Sequence, residues 1–225
     1  MTTAKVLGIN ASPRGKESNT LRLTSAVLAG AKEEGAETEL IDLYKLRIEY
    51  CTACGTCYAT GECTILDDFS DIFDRMMNAD GIVLGAPNYI DCVPAPVKAL
   101  FDRMADAIHC QMFTGKFGCA VCTAGGSGEN EVAGYMNKTL ATLGADIVGS
   151  VGVAIGRDPA ALGRAEGEAN ALGKTLVKAI NGELTYPEQD ALHRQKREYF
   201  CQLVKYNKDR FGHEYEWYEQ MGWMK

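Results

Sequence analysis

The chain has 225 residues, is 46% hydrophobic and 24% charged, and carries a net charge of −7. That composition supports one well-filled core, excludes a disordered chain, and its acidic balance argues against a general binder of nucleic acid or anionic membrane. No apolar run reaches the roughly 18 residues of a membrane span, and "MTTAKVLGIN" has no apolar stretch with a cleavage site, so the expected address is the cytoplasm, where thiols stay reduced.

Taken in chain order, "AKVLGIN" (4–10) is a short apolar run stopped by turn formers and reads as a buried strand. Residues 18–35 carry apolar side chains at helical spacing and end on Gly35, which predicts a helix. "ETELIDL" (37–43) reads as the second strand. A cysteine-rich segment follows, then a helix over 67–78 with Asp67 or Asp68 as its N-cap. "GIVLGAP" (81–87) is the third strand, and 94–107 a helix with proline at its start. "KFGCAVCTA" (116–124) is the fourth strand, 130–143 a helix, "ADIVGSVGV" (145–153) the fifth strand, and 159–180 a helix. Strands alternating with helices imply a parallel sheet, and five of them fit an α/β flavodoxin-like three-layer sandwich of order 2-1-3-4-5. The expected domain spans 1–185, with a cysteine insert at 48–66. Residues 186–225 form a helical, aromatic extension too short to be a domain.

"CTACGTCYATGEC" (51–63) spaces its cysteines as Cys51-x2-Cys54-x2-Cys57-x5-Cys63. C-x2-C-x2-C is the spacing with which ferredoxins supply three ligands to a cubane cluster, and here a fourth cysteine lies close by. The small residues between them, Thr52, Ala53, Gly55 and Thr56, suit close wrapping of the backbone. Zinc knuckles usually pair two C-x2-C units further apart, and disulfides do not suit the cytoplasm. Three readings stand: a [4Fe–4S] cluster, thiols without metal, and zinc.

In a sheet of this order, ligands bind beyond the carboxyl ends of strands 1 and 3. The loop after strand 1, "NASPRGKESNT", is rich in hydroxyl and amide donors, carries Arg14 and runs into a helix N-terminus, a combination that suits a terminal phosphate. It matches neither the Walker A nor the G-x-G-x-x-G pattern. In "APNYIDCVPAP", Tyr89 and Ile90 could flank a flat ring and Asn88 could bond to its edge. The glycines of "TAGGSGEN" permit close backbone approach. The plain alternatives are a solvated capped loop, a proline-shaped turn and a flexible connector.

These three loops resemble those of the flavodoxin-like NADPH-dependent FMN reductases, and with the cysteine segment the chain resembles the iron–sulfur flavoprotein branch of that family over about residues 4–180. The resemblance implies that Ser12, Arg14, Ser18, Asn19 and Thr20 hold the FMN phosphate. It implies that Pro87, Asn88, Tyr89 and Ile90 line the isoalloxazine, with Thr123, Ala124, Gly125 and Gly126 along its pyrimidine side. It also implies a homodimer or homotetramer with the flavin near a subunit interface. Asn88 and Asp91-Cys92 stand where many relatives carry small residues, which bears on the acceptor.

The resulting expectation is an FMN-dependent oxidoreductase carrying a [4Fe–4S] cluster on Cys51, Cys54, Cys57 and Cys63. Electrons pass from ferredoxin or NAD(P)H to a small acceptor such as a quinone, oxygen or peroxide, and no side chain acts as a general acid. The alternatives are a cluster-free NAD(P)H-dependent FMN or quinone reductase, and a non-catalytic flavin carrier or sensor. Cys119 and Cys122 sit three apart on a strand, so their side chains point to opposite faces and serve as core. Cys92 reads as a small filler, and His109, His193 and His213 as surface or interface residues. Tyr215, Trp217, Tyr218 and Trp223 read as packing aromatics, with cover over a neighbouring subunit's flavin as the alternative.

Overall fold

The computed structural model describes residues 3–156, 158 and 160–224. Its centre is a sheet of β1 (Lys5–Asn10), β2 (Glu37–Asp42), β3 (Gly81–Pro87), β4 (Phe117–Ala124) and β5 (Asp146–Ala154). All neighbouring pairs are parallel and the order is β2-β1-β3-β4-β5. β1, β3 and β4 are buried almost throughout, which explains their unbroken apolar sequences. Pairing of Asn10 with both Asp42 and Gly85 brings the carboxyl ends of β1, β2 and β3 to one edge.

Helices α1 (Asn19–Glu33) and α7 (Ala161–Ile180) cover one face, where Leu23, Val27, Ala169, Leu172 and Leu176 pack on Val83, Val121 and Cys119. The opposite face takes α3 (Phe69–Asn78), α4 (Ala95–Asp102) and α6 (Glu129–Leu143), whose Ile72, Met76, Leu100, Met136 and Leu140 pack on Leu7, Ile82 and Cys122. Cys119 and Cys122 thus enter opposite cores, as the strand pitch requires. The expected helix start at Pro159 lies outside the described residues.

Three local features depart from the sequence reading. The cysteine segment contains a short helix, α2 (Thr56–Thr60). The helix expected over 94–107 is broken into α4 and α5 (Ala105–His109) at Arg103, whose guanidinium enters the cysteine segment and is buried there. The extension forms two helices, α8 (Pro187–Tyr206) and α9 (Gly212–Gln220). α8 closes the sheet edge at β5. The Gln189 amide donates to Ile147 O at 2.9 Å and accepts from Ile147 N at 2.8 Å, and His193 Nε2 lies 3.1 Å from Asp146 Oδ1. Of the three histidines read as surface or interface residues, His193 is buried, while half-buried His109 and His213 each lie against a carboxylate of the interior.

Candidate functional site

Two hollows carry the residues that the sequence singles out. The first lies over β1, β3 and β4 and has a volume of about 130 Å³. Its walls come from Ser12, Arg14, Asn19 and Thr20 of the first loop, Pro87, Asn88 and Tyr89 of the second, and Thr123, Ala124 and Gly125 of the third, with Ile155 after β5. Ser18 does not line it. Ser18 is the N-cap of α1, its hydroxyl accepting from Leu21 N at 3.0 Å, and so it fixes the helix end that points at the hollow. Thr20 Oγ1 and Thr123 Oγ1 bond at 2.6 Å, tying the first loop to the third. Asn88 N donates to Thr123 O at 2.8 Å and Asn88 Nδ2 to Ser127 O at 2.7 Å, tying the second loop to the third. Gly128 allows this: it has φ +83°, and a Cβ there would lie 2.5 Å from Asn88 Nδ2.

Tyr89 and Cys92 pair backbone to backbone in both directions, so Ile90 and Asp91 are the centre of a tight turn, with φ +53° and +56°. Positive φ at a β-branched residue is strained. The turn carries the Ile90 side chain away from the hollow into solvent, and leaves Cys92 exposed. Gly126 does not line the hollow either, although a Cβ at Gly125 or Gly126 would meet nothing within 4 Å, so the backbone there is open to an approaching ligand.

Among the described residues, two polar groups beside the first hollow lack partners. Both amide atoms of the fully buried Asn10 are unpaired at the root of the first loop, as is Asn88 Oδ1. Buried amides are normally satisfied, so these atoms suit a polar ligand or ordered water. Nothing in the sequence singles out Asn10: an asparagine between a strand and a turn reads as punctuation. Together with a capped helix N-terminus, a guanidinium and an open glycine pair, the residues fit a phosphate-bearing flat cofactor such as FMN.

The second hollow, about 90 Å³, is lined by Cys51, Cys54, Cys57 and Cys63. Left-handed backbone at Ala53, Gly55 and Gly61 curls the segment around it. Cys51 and Cys54 are exposed, and Cys57 and Cys63 are half-buried. Donors point at the sulfurs: Ala53 N lies 3.4 Å from Cys51 Sγ and Arg103 Nη2 3.2 Å from Cys63 Sγ. The Thr56 hydroxyl and N–H draw the Cys54 thiol down to about 7, whereas burial, with Asp106 nearby, pushes Cys57 up to about 11. Among the described residues no three of the four sulfurs lie within 4.8 Å of one another. Tetrahedral zinc with Zn–S bonds of ~2.3 Å would hold its sulfurs at about 3.8 Å, so the thiols as placed do not form a single-ion site.

Arg103 braces this hollow, and the sequence does not announce it, because it reads as one more charged helix residue. Its side chain and that of Asp67 are wholly buried and ion-paired, and its guanidinium also reaches Ile65 O at 3.3 Å and covers the Phe69 ring at 4.3 Å. Burial pushes the Asp67 carboxyl up, but the Glu49 and Phe69 N–H groups and Arg103 outweigh it and hold the acid below its ordinary range. Asp67, not Asp68, bonds the first turn of α3. Tyr44, in the turn between β2 and the cysteine segment, has its phenol pushed up by burial and by Tyr89.

The model of the family described as NADPH-dependent FMN reductase matches residues 4–160. An iron–sulfur flavoprotein of Archaeoglobus fulgidus is 33% identical over 227 aligned positions, covering 98% of this chain and the whole of that protein. An iron–sulfur flavoprotein of Methanocaldococcus jannaschii is 44% identical over 99 positions, covering 44% of this chain and 51% of that one. Among solved structures, an NAD(P)H:quinone oxidoreductase from Methanothermobacter marburgensis superposes with a TM-score of 0.63 over 82% of this chain and all of that one. At 18% identity it is a likeness of fold.

Proposed function

Because the chain belongs to the NADPH-dependent FMN reductase family, in its iron–sulfur flavoprotein branch, we propose that it is an FMN-dependent oxidoreductase that also carries a [4Fe–4S] cluster on Cys51, Cys54, Cys57 and Cys63. The observation that carries this reading is the presence in one chain of two hollows, one lined by the three loops that suit a phosphate-bearing ring and one lined by four thiols with N–H donors. When bound, the flavin supplies one- or two-electron chemistry and the cluster one-electron chemistry.

The side chains act by holding. Ser12, Arg14, Asn19 and Thr20, with the Ser18-capped end of α1, hold the terminal phosphate. Pro87, Asn88 and Tyr89 line one side of the ring, and Thr123, Ala124 and Gly125 the other. Asn88 Oδ1 is free to accept from a ring N–H. Ile90 and Gly126, which lie beside the hollow and not in it, serve this site through turn shape and backbone space. Arg103 offsets the negative charge that four thiolates would gather.

The donor is a ferredoxin-type protein or NAD(P)H and the acceptor a quinone, oxygen, peroxide or similar small oxidant. Exposed Tyr50, Leu66, Tyr89 and Ile90 suit burial in a homodimer or homotetramer. Free thiols in this number suit the cytoplasm, and among the described residues no helix is long and apolar enough to cross a membrane.

Anaerobic purification followed by iron, acid-labile sulfide and FMN quantitation tests the proposal. The expected result is about four iron and four sulfide with one FMN per chain. Zinc, or no metal in strictly anoxic protein, would leave only a cluster-free flavin reductase.

A further inference from the structure

Cys57 lies within α2, a five-residue helix with left-handed glycines at both ends and no fully buried residue, and Cys63 follows three residues after its end. A helix that short has no stability of its own, since nucleation costs more than a few backbone hydrogen bonds return. Its order must come from contacts outside the segment, and these come from α5 and from the carboxyl-terminal helix.

Phe211, just ahead of α9, packs on Tyr58 with ring centroids 4.8 Å apart, and His109 stacks on Tyr58 at 5.0 Å. His213, in the first turn of α9, lies against Gly61: a Cβ there would be 2.7 Å from Cδ2 and Nε2 of the imidazole. Tyr58 is the residue after Cys57, and Gly61 lies two before Cys63. α9 is in turn anchored to α5. His213 Nδ1 is 3.2 Å from Asp106 Oδ1, His109 Nδ1 is 2.9 Å from Glu214 Oε1, and the Tyr218 hydroxyl donates to His109 O at 2.9 Å. Asp106, Glu214 and Tyr218 are all buried. The Cys201, Val204 and Tyr218 cluster that backs α9 is separate from the two cores that hold the sheet.

We propose that α9 is a clasp on the cysteine segment, with Phe211 and His213 as positioning residues that hold Cys57 and Cys63 in place. Through them the carboxyl-terminal extension sets how firmly the segment retains its cluster and how readily oxygen or a chelator removes it. The inference rests on the cluster reading above. A cluster on four thiolates is lost when one ligand swings away, and Cys51 and Cys54, on the exposed side, are open to solvent. The firmness of the site therefore depends on the other two.

The test uses anaerobically isolated holoprotein and three variants: His213→Ala, His213→Asn, whose amide can replace the Nδ1–H bond to Asp106, and Phe211→Leu. Iron release to EDTA and bleaching in air are followed alongside FMN content. His213→Ala should lose iron about tenfold faster, a loss on the scale of one hydrogen bond to a charged group. His213→Asn should fall between it and the unaltered protein, and Phe211→Leu should accelerate release by a smaller factor. FMN, held by other elements, should stay bound in all three, which also reports that they fold. The spectroscopic signature of the reduced cluster should shift in His213→Ala and return in His213→Asn. Iron release and spectra unchanged in His213→Ala with FMN bound would overturn the clasp. If the unaltered anoxic protein holds no iron, the cluster reading fails. The clasp is then read in the metal-free protein by iodoacetamide labelling of Cys57, which the alanine variant must accelerate if the clasp is real and leave unchanged if it is not.

Discussion

The two hollows are built on opposite principles. The flavin-type hollow is made of loop ends whose positions follow from strand register. β1, β3 and β4 end side by side, a capped helix supplies donors, and two short bonds, Thr20–Thr123 and Asn88–Ser127, tie the loops together. The cysteine hollow has no strand of its own. It hangs between β2 and α3 and is shaped by left-handed turns, by a buried Arg103–Asp67 pair and by a helix more than 140 residues further along the chain. The first is preorganised by the fold, while the second is assembled by long-range contacts. The second should therefore be the more easily broken, and breakable without the first.

Arg103→Leu should show the largest effect. It removes the guanidinium at Cys63 and leaves the buried Asp67 carboxylate without its cation, a change that costs about 3–5 kcal/mol when one partner of a buried pair is deleted. Urea unfolding should register that loss together with failure to retain iron. Unchanged stability would mean that the brace is not a brace.

Cys57→Ser should abolish iron binding while FMN stays bound at one per chain, as read by metal analysis and flavin absorbance. Loss of both cofactors together would show that the hollows are not independent.

The metal-free protein offers a sharper contrast within the cysteine segment. With thiols at about 7 for Cys54 and about 11 for Cys57, iodoacetamide at neutral pH should label Cys54 more than about tenfold faster, because only the thiolate reacts. Labelling of Cys54 should fall as pH drops below about 7, where the thiol regains its proton. Mass-spectrometric time courses give both numbers.

On the flavin side, Gly128→Ala puts a Cβ against Asn88 at positive φ and should weaken FMN binding by about tenfold, with iron content unchanged. Thr20→Val removes one buried hydroxyl bond and should cost about 1 kcal/mol, or about fivefold in FMN affinity. Fluorescence titration of apoprotein measures both.

Much of this was legible in the sequence, for physical reasons. Buried parallel strands are unbroken apolar runs, so "GIVLGAP" and "KFGCAVCTA" declare themselves, and period two alone separates Cys119 from Cys122. The first loop reads as an anion cradle because its cap and donors are local. Arg103, Asn10 and α9 were not legible. Arg103 meets Cys63 forty residues away, Asn10 is informative only because its amide is buried and unpaired, and the histidines are defined by carboxylates on other elements. Residue type sets Ile90 beside a ring, whereas the tight turn it occupies sends its side chain into solvent. Sequence spacing carries local chemistry, and it does not carry which distant helix closes over it.

A stepwise anaerobic reductive titration, counted against FMN absorbance, tests the central claim most directly. A flavin and a cluster in one chain should take up about three electrons, two on the flavin and one on the cluster. Saturation at two electrons per FMN in anoxic protein would contradict the account and leave the four cysteines without the cofactor assigned to them.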